Sequence, residues 1–180
     1  MALAKKKIHT TEDIYQLPEG DRAELIDGDL YMMSPPNTTH QRISAALHAE
    51  IYNYIRTHGG KCETFAAPFA VFLNTEADDR NYVEPDISVI CDPKKITEKG
   101  CNGAPDWIIE IVSPSSRRMD YYTKLFKYRT AGVKEYWIVD PEKSRIMVYS
   151  FTANSGNEYT FSDTVTPSIY DDLEIDFSAI

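Results

Sequence analysis

The sequence predicts one mixed α/β domain, with a central mixed β-sheet flanked by helices and with added β-hairpins. Three observations carry this. Residues 107–112 form a near-continuous apolar run broken by one acid, Glu110, as expected of a central strand covered on both faces. Two long stretches repeat apolar residues at helical intervals. The order strand, helix, strand across residues 107–139 implies a right-handed crossover and parallel pairing, while the other neighbours read as hairpins.

The elements follow in order. Residues 1–9, rich in lysine, read as a flexible tail, and residues 10–180 as a single domain. Residues 10–16 predict a short helix stopped before Pro18. Asp27-Gly28 between two apolar-polar runs predicts a hairpin. The first long helix covers about 40–57: Ile43, Leu47, Ile51 and Tyr54 make its buried face, Thr38 or Thr39 caps it, and Gly59-Gly60 ends it. Strands are expected at 61–67, 69–73 and 83–91, with the polar stretch 74–81 between the last two. A second long helix spans about 115–131, capped by Ser115 or Ser116 and stopped at Gly132. Strands at 135–139 and 145–151 form a hairpin around 140–144, and 158–161 and 165–169 add edge strands.

At 180 residues the chain is the size of one domain, and 42% hydrophobic with 26% charged residues is ordinary for a globular protein. No apolar run has the length of a membrane span or follows the basic start as in a signal peptide, so a cytoplasmic protein without membrane contact is expected. The formal charge of −9 argues against a protein that coats nucleic acid through a basic surface. It leaves room for a metal site, which needs clustered carboxylates. Cys62, Cys91 and Cys101 are odd in number and form no CxxC pair, so neither a disulfide nor a zinc site is expected.

Two acids stand out. Asp86 follows Pro85 inside the expected strand 83–91, and Glu110 lies near the end of the next, before Ser113-Pro114 turns the chain out of the sheet. If the two strands are neighbours, both carboxylates converge at one sheet end. Asp86 also reads as a turn acid after a proline. Glu110 is harder to dismiss, because a carboxylate among Trp107, Ile108, Ile109, Ile111 and Val112 is costly to bury unpaired. Such a pair suits magnesium, which takes carboxylate oxygens, waters and substrate phosphate.

Pro85-Asp86, a spacer, then Glu110-x-Val112 resembles the pattern of the PD-(D/E)XK nuclease superfamily. Several further segments, in one order, resemble the Uma-two family of restriction-endonuclease-like proteins. They include Glu24-Leu25-Ile26-Asp27-Gly28-Asp29-Leu30, Met33-Ser34-Pro35, Glu84-Pro85-Asp86-Ile87, Glu110-Ile111-Val112-Ser113-Pro114-Ser115-Ser116 and Glu135-Tyr136-Trp137-Ile138-Val139-Asp140-Pro141. The likeness runs from about residue 10 to 150 and implies a restriction-endonuclease-like fold. It departs from the superfamily at Val112, which stands where a lysine is usual. In such relatives the following helix supplies the lysine, and this helix offers Lys124 and Lys127. Tyr121, Leu125 and Tyr128 form its apolar stripe, with Tyr122 and Phe126 alongside. Lys124 borders the stripe and Lys127 lies further round towards solvent, so Lys124 is favoured. The plain reading of Lys124 is a surface pair with Asp120.

What the resemblance implies is a divalent-metal-dependent endonuclease acting on DNA ahead of RNA, with Mg2+ or Mn2+ on Asp86 and Glu110. Lys124 would neutralise charge or orient the attacking water. Glu24 would support the metal or its waters, though it also fits a pair with Arg22. His40 fits a phosphate contact or an acid/base group, or a plain helix-terminal histidine. Arg117 and Arg118 sit unfavourably at a helix start and suit phosphate contacts or solvated ends. A homodimer is expected by analogy with endonucleases that cut two strands. Two rivals stand beside this: an inactive nucleic-acid-binding or regulatory protein that keeps the fold, and a module that dimerises through Tyr159, Phe161, Ile169 and Tyr170.

Overall fold

The computed structural model describes residues 7–74 and 79–180. Most of the expected tail, residues 1–6, lies outside the described residues, as does 75–78 of the polar stretch. Residues 7–9 are docked: Lys7 pairs with Asp13, and the His9 N–H donates to the Gly28 carbonyl.

Helix α1 (Thr11–Tyr15) leads into the hairpin of β1 (Ala23–Ile26) and β2 (Asp29–Met32). Asp27 and Gly28 both have positive φ, as the predicted two-residue turn requires. Helix α2 (Thr38–His58) follows; its cap is Asn37, one residue before the expected threonines, whose side chain accepts from the His40 N–H. Next come β3 (Glu63–Ala66), β4 (Val71–Phe72), β5 (Tyr82–Val83), β6 (Ile87–Ile90), β7 (Ile96–Thr97), β8 (Gly100–Asn102) and β9 (Trp107–Ile111). A π-helical segment, Met119–Lys124, runs into α3 (Leu125–Ala131). Then β10 (Glu135–Asp140), β11 (Arg145–Ser150) and β12 (Ser155–Thr160) form a meander, and β13 (Thr164–Val165) pairs with β14 (Ile175–Asp176).

Among the described residues the strands make two six-stranded mixed sheets, ordered β2-β1-β5-β4-β8-β7 and β12-β11-β10-β9-β6-β3. The predicted parallel pair is β9 beside β10, with α3 as part of the crossover. Side chains alternate across β9. Trp107, Ile109 and Ile111 pack under α2 with Leu47 and Ile51, whereas Ile108 and Val112 pack on the other side with Tyr128, Tyr136 and the first sheet's Val71 and Val83. The central strand is therefore buried on both faces, as its composition predicted.

Four expectations need correction. The strand expected over 83–91 is broken: β5 belongs to the first sheet and β6 to the second, and Glu84-Pro85-Asp86 carries the chain between them. Pro85 has no N–H to give a ladder, so the run of β-branched residues cannot stay in one sheet through it. The helix expected over about 115–131 forms from residue 117, after turns at 114–116, but it winds in π geometry over Met119–Lys124 before α3. Cys62 and Cys91 form a disulfide, because Glu63 pairs with Ile90 across β3 and β6 and places the flanking cysteines side by side. Cys101 is free and buried. Finally, Tyr159, Phe161, Ile169 and Tyr170 pack against the core beneath the second sheet, so they form no free apolar dimer patch.

Candidate active site

The β6–β9 ladder is antiparallel, with Ile87 opposite Ile109 and Ser88 opposite Ile108. Extended by one residue, this register sets Asp86 opposite Glu110. The Asp86 carboxylate is anchored across the gap: its Oδ2 accepts from the Ile111 N–H at 2.7 Å. The same oxygen meets His40 Nε2 at 3.1 Å, at the start of α2. Asp86 and Glu110 thus share one sheet end although Asp86 lies outside a strand.

Glu110 points to the α3 side of the sheet, where it is 4% exposed. Its Oε1 accepts from Tyr128 Oη at 2.6 Å and from Lys124 Nζ at 2.9 Å. The Lys124 amine, on a residue also 4% exposed, reaches Glu24 Oε1 of β1 at 2.9 Å. Glu24 Oε1 further accepts the Glu84 N–H at 3.0 Å. Arg22 turns to Glu84 rather than to Glu24, and Tyr82 Oη donates to Glu84 at 2.6 Å.

The plain reading of Lys124 as a surface pair fails, since Lys124 and Asp120 are both buried, 3.7 Å apart. Lys127 instead pairs with the exposed Asp27. Asp120 accepts from Ser116 Oγ at 2.6 Å through Oδ2, while its buried Oδ1 has no hydrogen-bond partner among the described residues. From the sequence Asp120 reads as a surface partner of Lys124, Tyr128 as part of an apolar stripe and Ser116 as a helix cap, and Glu84 carries no site role. Their signal was weak: Asp120 is one of many acids, and a tyrosine in an apolar stripe reads as core.

Glu24, His40, Asp86, Glu110, Asp120 and Lys124 all line one cleft of about 680 Å³ between the two sheets, with Ser113-Pro114-Ser115-Ser116 on its rim. Arg117 is not brought into it: its guanidinium binds Asp140 at 3.2 Å and Glu142 at 2.8 Å. Arg118 does not line it either.

The charges are unbalanced. Burial pushes the Glu110 carboxyl well above its usual range; Lys124 lowers it, but Asp86, Asp120 and Glu24 add to the rise. Asp120 is pushed up to about 6, again chiefly by burial. Burial opposes the charge on Lys124, yet Glu110, Glu24 and Asp120 outweigh it and hold its pKa well above normal. Lys124 is accordingly a fixed cation among three carboxylates. His40, despite burial, is raised by Asp86.

The donor set fits a hard divalent cation. It is all carboxylate oxygen, it carries excess negative charge, and the hydrogen bonds of Asp86 and Glu110 fall on one oxygen of each. Among the described residues no three His, Cys, Asp or Glu side chains form a ready cage. A cation here would take two protein ligands and complete its shell with water and phosphate, which is magnesium's habit.

Residues 11–179 match the model of the Uma2 family, described as "Putative restriction endonuclease". The chain belongs to the Uma2 family. Two uncharacterized proteins of Synechocystis sp. are similar to it. One is 28% identical over 131 residues, covering 72% of this chain and 66% of that protein, so the chain spans just under two thirds of that relative's length. The other is 25% identical over 154 residues, covering 83% and 84%. A crystal structure from Anabaena variabilis, titled as a "putative nuclease belonging to DUF820", superimposes with a TM-score of 0.74 at 22% identity, over 94% of this chain and 95% of that one. This Uma2 chain has the restriction-endonuclease-like fold that its motifs implied.

Proposed function

We propose that this Uma2 cleft hydrolyses phosphodiester bonds in DNA, with Asp86 and Glu110 holding magnesium or manganese. The observation that supports it best is Lys124. Val112 stands where a lysine is usual, and the π-helical segment delivers a buried amine to one of the two acids, Glu110, and to Glu24 beside it. A cation on the two acids would polarise a phosphoryl oxygen and lower the pKa of a bound water.

The protein's own groups divide the remaining work. Lys124, held protonated, serves as a positive charge near the scissile phosphate and as a donor that orients a water, rather than as a base. Glu24 fixes the amine from the first sheet. Tyr128, whose hydroxyl burial keeps protonated, donates to Glu110 and sets its rotamer. His40 holds Asp86 by one ring nitrogen, and its raised pKa makes it a proton donor for the leaving oxygen.

The test is cleavage of supercoiled plasmid and of single strands, with magnesium or manganese and without. We expect metal-dependent nicking that falls by at least about 100-fold in Asp86→Ala and Glu110→Ala. Activity that survives both substitutions overturns the mechanism. Nucleic-acid binding without cleavage in either metal would instead assign a non-catalytic Uma2 protein.

A further inference from the structure

The cleft explains a cation but not how a polyanion is held. Five carboxylates line it, from Glu24, Glu84, Asp86, Glu110 and Asp120, and they repel phosphate. On the other side of the same helix lies a groove of about 410 Å³ between α3 and the β11–β12 hairpin, and no acid lines it. In a chain with 28 acidic residues that is a local exception.

The groove's walls are aromatic. Tyr122 and Phe126 are 73% and 65% exposed, the most exposed large apolar side chains among the described residues. Opposite them Tyr149 and Phe151 lie nearly parallel, 18° apart with centroids at 6.4 Å. One cation, Arg129, lines the groove, and two more flank Tyr121 beside it. The Arg129 guanidinium lies 6.0 Å from the Phe151 centroid, and Arg145 and Lys143 lie 5.2 and 5.9 Å from Tyr121. Arg145 is also 3.8 Å from Glu158, and Arg129 donates to Asn154 at 2.6 Å. Solvent-facing rings with a guanidinium among them and two further cations nearby suit unpaired bases joined by phosphates, the bases stacking on rings and the phosphates meeting the cations.

We propose that this groove binds a single-stranded stretch of nucleic acid and presents the adjoining phosphodiester to the cleft. The two sites share one helix. Met119, Asp120 and Lys124 face the cleft, while Tyr121, Tyr122 and Leu125 face the groove. One helix diameter, about 10 Å, separates them, a few nucleotides of backbone. The proposal rests on the nuclease reading for its substrate, and it narrows that substrate to strands with unpaired bases near the cut.

Fluorescence anisotropy of labelled single-stranded DNA, its RNA counterpart and the DNA duplex, without divalent metal, tests it. Wild type should bind single strands more tightly than duplex, with affinity falling as salt rises. Tyr122→Ala with Phe126→Ala, and Arg129→Ala separately, should each weaken binding by about 10-fold or more. Asp86→Ala should bind single strands at least as tightly as wild type while losing cleavage, so loss of cleavage judges the cleft and loss of binding judges the groove. Relative affinity for the DNA and RNA strands assigns the sugar. Tyr122, Phe126 and Arg129 are exposed, and circular dichroism checks that all the variants fold. Absence of single-strand binding by wild type, or equal binding by the groove variants, overturns the proposal. So does a wild-type dimer that the groove substitutions dissociate without changing nucleic-acid affinity, which would make a second copy the occupant.

Discussion

Lys124 and Lys127 lie three residues apart and meet opposite fates. Lys124 is enclosed by Glu24 and Glu110, whereas Lys127 pairs with the exposed Asp27. Removing Lys124 strands carboxylates in the interior, so Lys124→Ala should cost about 3–5 kcal/mol, against under about 1 kcal/mol for Lys127→Ala. Urea unfolding of the two variants measures this, and equal losses would contradict the buried network. Cys101 gives a second residue-level prediction. Burial pushes its thiol up to about 11, so in the native state at pH 8 it should resist iodoacetamide and react only on unfolding. At this scale the sequence was informative wherever a charge was out of place. Glu110 in an apolar run and Lys124 beside an aromatic stripe are such cases. Asp120 and Tyr128 were not, because an acid and a tyrosine on a helix look ordinary until the π turn and β9 bring them together.

The π-helical segment decides which side chains α3 turns to the cleft. It holds an extra residue in the winding, so deleting the partly exposed Thr123 should relax it to α geometry and rotate the residues before it relative to Lys124. We expect native helix content by circular dichroism, with cleavage reduced at least about 10-fold. Helix α1 should respond to pH through its cap. Lys7 and the Thr10 N–H hold Asp13 down at about 2 from its ordinary 3.8. A depressed carboxyl contributes stability that is present above 3.8 and lost as pH falls through about 2. Protection of the α1 amides, taken relative to their intrinsic exchange rates, should therefore fall through that window in wild type and stay constant in Asp13→Asn. Element existence was legible from periodicity: α2, β9, β10 and the Asp27-Gly28 hairpin all form where expected. The splitting of 83–91 and the Cys62–Cys91 bond were not, since both depend on which sheet each short strand joins.

Across the whole molecule the excess of acids gives a thermodynamic handle separate from catalysis. A cation that binds only the folded state at 100 times its Kd adds about 2.7 kcal/mol. For a chain of this size that raises Tm by roughly 5–10 °C. Calorimetry should show this shift with magnesium or manganese and not with sodium chloride at matched ionic strength. Asp86→Ala and Glu110→Ala should lack it; an unchanged shift in both would place the cation elsewhere.

The crossing at Glu84-Pro85-Asp86 has a consequence for how the cleft comes into being. Its charged walls come from residues 24, 86, 110 and 124, and they meet only when the two sheets have closed on each other around that three-residue bridge. No fragment released early in synthesis carries a complete constellation, since the lysine is made long after the glutamate it joins. A nascent or partly opened chain therefore lacks the assembled cleft, and whatever the cleft does depends on the closure that seats Lys124 against Glu24 and Glu110.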